Sequence, residues 1–112
     1  MTSQTPVDAV GLAREFARRL GARCDPAGFT VTLFGSHARG DADDESDVDV
    51  FVEIRSDDST AIKEAADEIA GDLTLEHGIL VSVVVADRAF MEARRGYSFL
   101  EAMAAEGIPI EP

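Results

Sequence analysis

Positive charge is scarce in this chain. Ten Lys and Arg stand against 22 Asp and Glu, for a net charge of −12, and Lys63 is the single lysine. With no basic stripe to release counterions, the composition excludes a protein that holds nucleic acid by neutralising phosphates. It also excludes docking on anionic membranes. The shortage of lysine fits a salt-adapted organism or a GC-rich genome and does not separate them. Cysteine is nearly absent: Cys24 stands alone, so no internal disulfide is available and a reducing interior is expected. No His or carboxylate pattern around it marks a nucleophile. Long hydrophobic runs are missing too. The longest, Ile79 to Val85, is broken by Ser82 and is far too short to span a bilayer. "MTSQTPVDAV" has neither a basic nor an apolar leader region, so no signal peptide is expected. A cytoplasmic protein touching neither membrane nor nucleic acid directly is the expectation.

What is present suits one globular domain, residues 1–112, since 46% of the chain is hydrophobic. Residues 6 to 23 read as a helix, with Val7, Val10, Leu12, Phe16 and Leu20 roughly on one stripe and Pro6 suited to the first turn. "DPAG" at 25 to 28 stops it. Phe29 to Phe34 and Asp47 to Ile54 read as strands. Asp58 or Ser59 caps a helix running to about Glu76, with Ile62, Ala66, Ile69 and Leu73 as its buried stripe. A third strand covers Ile79 to Ala86. Asp87 starts a helix that breaks near Gly96, and Ser98 to Ala105 forms another. "IPI" at 108 to 110 suits an edge strand, because Pro109 is poor in a central one.

Side chains alternate across a strand, so each strand has two faces to inspect. Val48, Val50, Val52 and Ile54 share one face of the second strand; Asp47, Asp49, Phe51 and Glu53 share the other. The first and third strands divide in the same way. An α+β fold follows: a small mixed sheet with helices packed on one face, and an open acidic face at Asp47 and Asp49. An acidic open face is where a site is to be sought.

Six of the nine residues from Asp41 to Asp49 are acidic. A calcium loop starting at Asp41 needs Gly at 46 and Glu at 52; the chain has Ser46 and Val52, so that reading fails. Asp41, Asp43, Asp44 and Glu45 are accounted for as a solvated loop. Asp47 and Asp49 differ, because at i and i+2 on a strand they share a face roughly 7 Å apart at Cα. Two like charges so placed repel unless a cation lies between them, and hard carboxylate oxygens suit Mg²⁺ or Mn²⁺. Just after the first strand comes "GS". Gly35 allows a sharp turn and a close phosphate, and Ser36 offers a hydroxyl and an amide at the start of one helical turn, "SHAR". Each signal is weak alone: Gly-Ser is a common turn and Asp-x-Asp a common strand start.

Together, "GS" at 35 and 36, ten intervening residues, and "DVD" at 47 to 49, with Arg39 and Gly40, resemble the signature of the DNA polymerase β-like nucleotidyltransferases. The short chain and its closing "EGIPI" look most like the minimal nucleotidyltransferases (MNT), often paired with a HEPN-domain partner. The resemblance implies that Asp47 and Asp49 hold divalent ions, and that Gly35, Ser36 and Arg39 meet the triphosphate of ATP. It further implies transfer of AMP to a tyrosine of a HEPN toxin, with this chain as antitoxin, in a hetero-oligomer with the toxin or as a homo-oligomer. Arg39 could equally pair with the Asp41–Glu45 acids.

The family usually carries a third carboxylate on the strand after the long helix, where this chain offers only Ser82. Serine cannot replace the missing charge or act as a base near neutral pH. Asp87, on the opposite strand phase, and Glu53, two residues further along, are poor substitutes. His37 reads as an exposed turn residue and His77 as a helix-end residue. Three readings follow: a Mg²⁺-dependent enzyme that adenylylates a protein tyrosine, an antitoxin that acts by binding alone, and a nucleotidyltransferase acting on a small molecule. The last is disfavoured, because larger family members add a helical acceptor domain for which 112 residues leave no room.

Overall fold

In the computed structural model, which describes residues 8–40 and 47–111, the apolar strand faces meet two long helices. The first helix, α1 (Ala9–Arg23), is capped by Asp8, whose carboxylate accepts from the Gly11 amide at 2.8 Å. Val7 and Pro6, expected in its first turn, lie outside the described residues. A 3-10 turn, Pro26–Gly28, leads into β1 (Phe29–Phe34). One helical turn, α2 (Ser36–Arg39), separates β1 from β2 (Val48–Ile54). Then follow α3 (Ser59–His77), β3 (Val81–Ala86), α4 (Arg88–Ala93), α5 (Ser98–Glu106) and β4 (Ile108–Ile110).

The four strands lie in the order β3-β2-β1-β4. β1 pairs antiparallel with β2 and β4, while β2 and β3, joined through α3, run parallel. The sheet is therefore mixed, as expected. Pro109 sits in the edge strand β4 opposite Thr32, where a missing N–H costs no central ladder bond.

Val48, Val50 and Val52 are fully buried on one sheet face, with Leu33 of β1, Phe16 and Leu20 of α1, and Leu73 of α3. This is the helix-covered face. Arg19 fastens the two helices: its guanidinium donates to Glu76 of α3 through two bonds of 2.8 Å and to Glu15 at 2.7 Å. Hydrogen bonds from Arg18 and Arg19 hold the Glu15 carboxyl down at about 2, and Arg19 lowers that of Glu76.

The third strand begins two residues later than Ile79. Gly78 ends α3 with φ +68, and the Thr74 hydroxyl accepts from the Val81 amide at 2.9 Å while donating to the Ala70 carbonyl at 2.8 Å. Only then does the ladder start. The other sheet face is more covered than strand parity implied. Phe51 is 4% exposed there, because Phe99 of α5 packs edge-on against it and against Phe34. Past that point, Met91, Leu100 and Met103 wall a cavity of about 240 Å³ over Thr32 and Phe51.

Candidate active site

Register decides what stands beside what. Phe34 is opposite Asp49 across the β1–β2 pair, so Gly35 emerges from the sheet next to that carboxylate. Gly35 has φ +78, a left-handed value that L side chains resist. A Cβ built on it would lie 2.5 Å from Asp49 Oδ2. Glycine is needed there twice over, for its backbone and for the space its missing side chain leaves to Asp49. The Gly35 carbonyl accepts from the amides of Ala38 and Arg39, both at 3.1 Å, closing the α2 turn. The first amide of that turn, at Ser36, therefore has no acceptor within it. Gly40, with φ +81, ends the turn, and its amide donates to the Ser36 carbonyl at 3.0 Å.

Across the β2–β3 pair, Asp49 is in register with Ser82. The two share a sheet face and are both half-buried. Asp47 is exposed and stands just before β2, whose first paired residue is Val48. Partial burial raises the Asp49 carboxyl above its ordinary value, and the charge of Asp47 adds to the rise; His37 and Arg39 pull the other way. Gly35, Asp47, Asp49 and Ser82 thus converge at one end of the sheet, with Ser36 and Arg39 on the turn beside them. Arg39 is exposed, and its guanidinium lies 4.0 Å from Glu106 of α5. The Asp41–Glu45 acids, its other expected partners, lie outside the described residues.

The two weighed substitutes for a third acid have other settings. The Asp87 carboxylate caps α4, accepting from the Phe90 amide at 2.8 Å. Glu53 pairs in register with Thr30 and Ala86, well along the sheet from Ser82. Among the described residues no group of three or more His, Cys, Asp or Glu is gathered as metal ligands. A groove of about 510 Å³ between α1 and the end of α3, lined by Leu12, Arg19, His77 and Ile79, lies on the helix-covered side and reaches neither aspartate. Chemistry rather than volume singles out the Asp49 end. Sequence reasoning missed the aromatic contact of Phe99 with Phe34 beside this site, because no local spacing links a residue on α5 to β1.

A nucleotidyltransferase domain model matches residues 12–101, most of the chain. The chain belongs to the nucleotidyltransferase domain family. Over 79 residues this nucleotidyltransferase is 32% identical to a Methanocaldococcus jannaschii protein named "Putative protein adenylyltransferase", covering 70% of this chain and 80% of that one. A second such protein from the same organism is 29% identical over 77 residues, covering 69% and 72%. A crystal structure of a Sulfolobus solfataricus protein described as a "putative nucleotidyltransferase" superposes with a TM-score of 0.56 at 19% identity, covering 90% of this chain and 78% of that one. A toxin–antitoxin complex with AMP-PNP does so with a TM-score of 0.55 at 19% identity, covering 92% and 72%. These likenesses bear out the nucleotidyltransferase fold expected from "GS" and "DVD". Among the described residues no helix is long and apolar enough to cross a membrane.

Proposed function

We propose that this nucleotidyltransferase moves AMP from ATP to a tyrosine of a partner protein, a HEPN-domain toxin, in a Mg²⁺-dependent reaction, and so acts as the antitoxin. One observation carries the reading: Gly35, with no room for a side chain, opens directly onto Asp49, whose carboxylate is held beside Asp47 at an energetic cost. A carboxylate whose proton affinity is raised by burial and by a neighbouring carboxylate suits a cation. The likeness to named adenylyltransferases supports protein as the acceptor, and the toxin–antitoxin neighbour supports the kind of partner.

The donor set fits Mg²⁺ or Mn²⁺, which take one or two carboxylates and complete their shell with phosphate oxygens and water. Asp47 and Asp49 would be the protein ligands; the ion, when bound, supplies charge neutralisation of the triphosphate and activation of the attacking oxygen. The chain's own part is positioning. Gly35 admits the phosphates close to the backbone, the amides and hydroxyl at Ser36 donate to them, and Arg39 adds positive charge at the rim. The acceptor oxygen attacks the α-phosphate in line and pyrophosphate leaves.

A second reading, neutralisation by binding alone, draws on Ser82. The register seats it beside Asp49, where a third acid would add a ligand or a base that a hydroxyl cannot supply. The chain is to be incubated with its partner, labelled ATP and MgCl₂. Label on a partner tyrosine, lost when Asp47→Asn is combined with Asp49→Asn, supports the enzyme. No label, with protection of cells intact in the double variant, supports binding alone. Ser82→Asp is expected to raise the rate about tenfold or more if turnover is limited by the missing carboxylate.

A further inference from the structure

We propose that Tyr97 is a self-adenylylation site: its phenolic oxygen takes AMP from the nucleoside triphosphate held at Gly35 and Asp49 of the same molecule. The inference rests on the nucleotidyltransferase reading above and goes beyond it. Tyr97 is the only tyrosine of the chain and is 60% exposed. It occupies the position before α5, directly after Gly96, whose φ of +85 turns the chain there.

The start of α5 is anchored beside the site. Phe99 packs edge-on against Phe34 at 5.7 Å and Phe51 at 6.1 Å between ring centroids. Phe34 is the register partner of Asp49, and Phe51 follows Asp49 by two residues on the same face. Phe99 therefore packs on two of the residues that neighbour Asp49 on this sheet face. Tyr97 is two residues upstream, a chain distance of at most about 7 Å, and its phenol extends its reach further. Its hydroxyl has no hydrogen-bond partner among the described residues. Arg94 and Arg95 place two positive charges on the same turn of an otherwise acidic chain, which favours meeting a triphosphate.

Ser82 favours a phenol over an alcohol as acceptor. Without a carboxylate there to take a proton, the acceptor must ionise with little help. A tyrosine hydroxyl, with an ordinary pKa of about 10, does so far more readily than the hydroxyl of neighbouring Ser98. The Tyr97 Oη–Pα bond forms and the Pα–O–Pβ bond breaks. Pyrophosphate leaves with the electron pair, and the phenolic proton passes to solvent.

The full chain is to be incubated with ATP and MgCl₂ and followed by intact-mass and peptide-mapping spectrometry. The expected result is one AMP per chain on Tyr97, at a per-molecule rate independent of protein concentration. It is absent from Tyr97→Phe and from Asp47→Asn combined with Asp49→Asn. Because the chain has no tryptophan and one tyrosine, loss of the phenolate absorption band at alkaline pH is a second readout. AMP mapped to Ser98 or elsewhere, or a rate that rises with protein concentration, overturns the proposal. Transfer to the partner with Tyr97 unmodified overturns the self-modification alone; transfer to neither overturns the underlying reading as well.

Discussion

Asp49 is a residue whose placement costs stability. Its carboxyl is raised by burial first and by Asp47 second, so the folded state disfavours its ionised form. A carboxylate shifted in this direction leaves stability intact below its ordinary value of 3.8 and removes some as pH rises through the folded value. Asp49→Asn, which cannot ionise, is therefore expected to raise the melting temperature of the metal-free protein at pH 7. That gain fades as the pH falls toward 3.8. The same substitution should cut nucleotidyl transfer on the order of a hundredfold or more and abolish most of the thermal stabilisation by Mg–ATP. Thermal melts with and without Mg–ATP check both; a variant less stable than wild type at pH 7 contradicts the argument. Gly35→Ala is the converse test. It places a methyl 2.5 Å from Asp49 Oδ2 on a backbone with φ +78, so it should destabilise by about 1–3 kcal/mol and weaken nucleotide binding, as denaturant titration and nucleotide titration would report.

At the scale of elements, strand parity and turn residues made β1, α2 and β2 readable, because a two-residue period on a one-sided sheet leaves little freedom. Ser82 was also reachable, since it is the only polar residue within its strand. Sequence could not supply the register that sets Ser82 against Asp49, nor the packing of Phe99 on Phe34, because both join residues distant in the chain. The late start of β3 was hidden for a related reason: Ile79 and Leu80 are apolar enough to extend the strand, but Thr74 claims the Val81 amide first. Thr74 therefore ties α3 to β3, and through β3 fixes Ser82 beside Asp49. Thr74→Val keeps the shape and removes the hydroxyl. It leaves the amide of Val81, which is 4% exposed, without that acceptor, at a cost of about 1–3 kcal/mol by chemical denaturation. A change below a few tenths would mean that the hydroxyl does not set the strand's start.

The whole molecule carries its −12 charge on a small surface, and acid acts on it in two opposing steps. As pH falls, protonation of Asp49, whose carboxyl is raised by burial and by Asp47, removes an unfavourable charge. The opposing effect acts below about 4.5. Glu15, ordinarily near 4.5 and held at about 2 by Arg18 and Arg19, stays ionised in the fold when it would be protonated in the unfolded chain. Its contribution is complete above 4.5 and is lost as pH falls toward 2. Glu76, lowered by Arg19, acts in the same sense and belongs to the same clasp between α1 and α3. Melting temperature measured from pH 7 to pH 2 at a fixed ionic strength of about 0.15 M should therefore fall toward pH 2 as the clasp is lost, with protonation of Asp49 offsetting part of that fall. Constant salt holds the screening of self-repulsion steady, so that the curve reports site-specific proton uptake. Each arm has its own control. Asp49→Asn should remove the offset, and Glu15→Gln should shallow the fall below 4.5. If Glu15→Gln leaves the acid limb unchanged, the Arg18–Glu15–Arg19 cluster is not what protects the fold there.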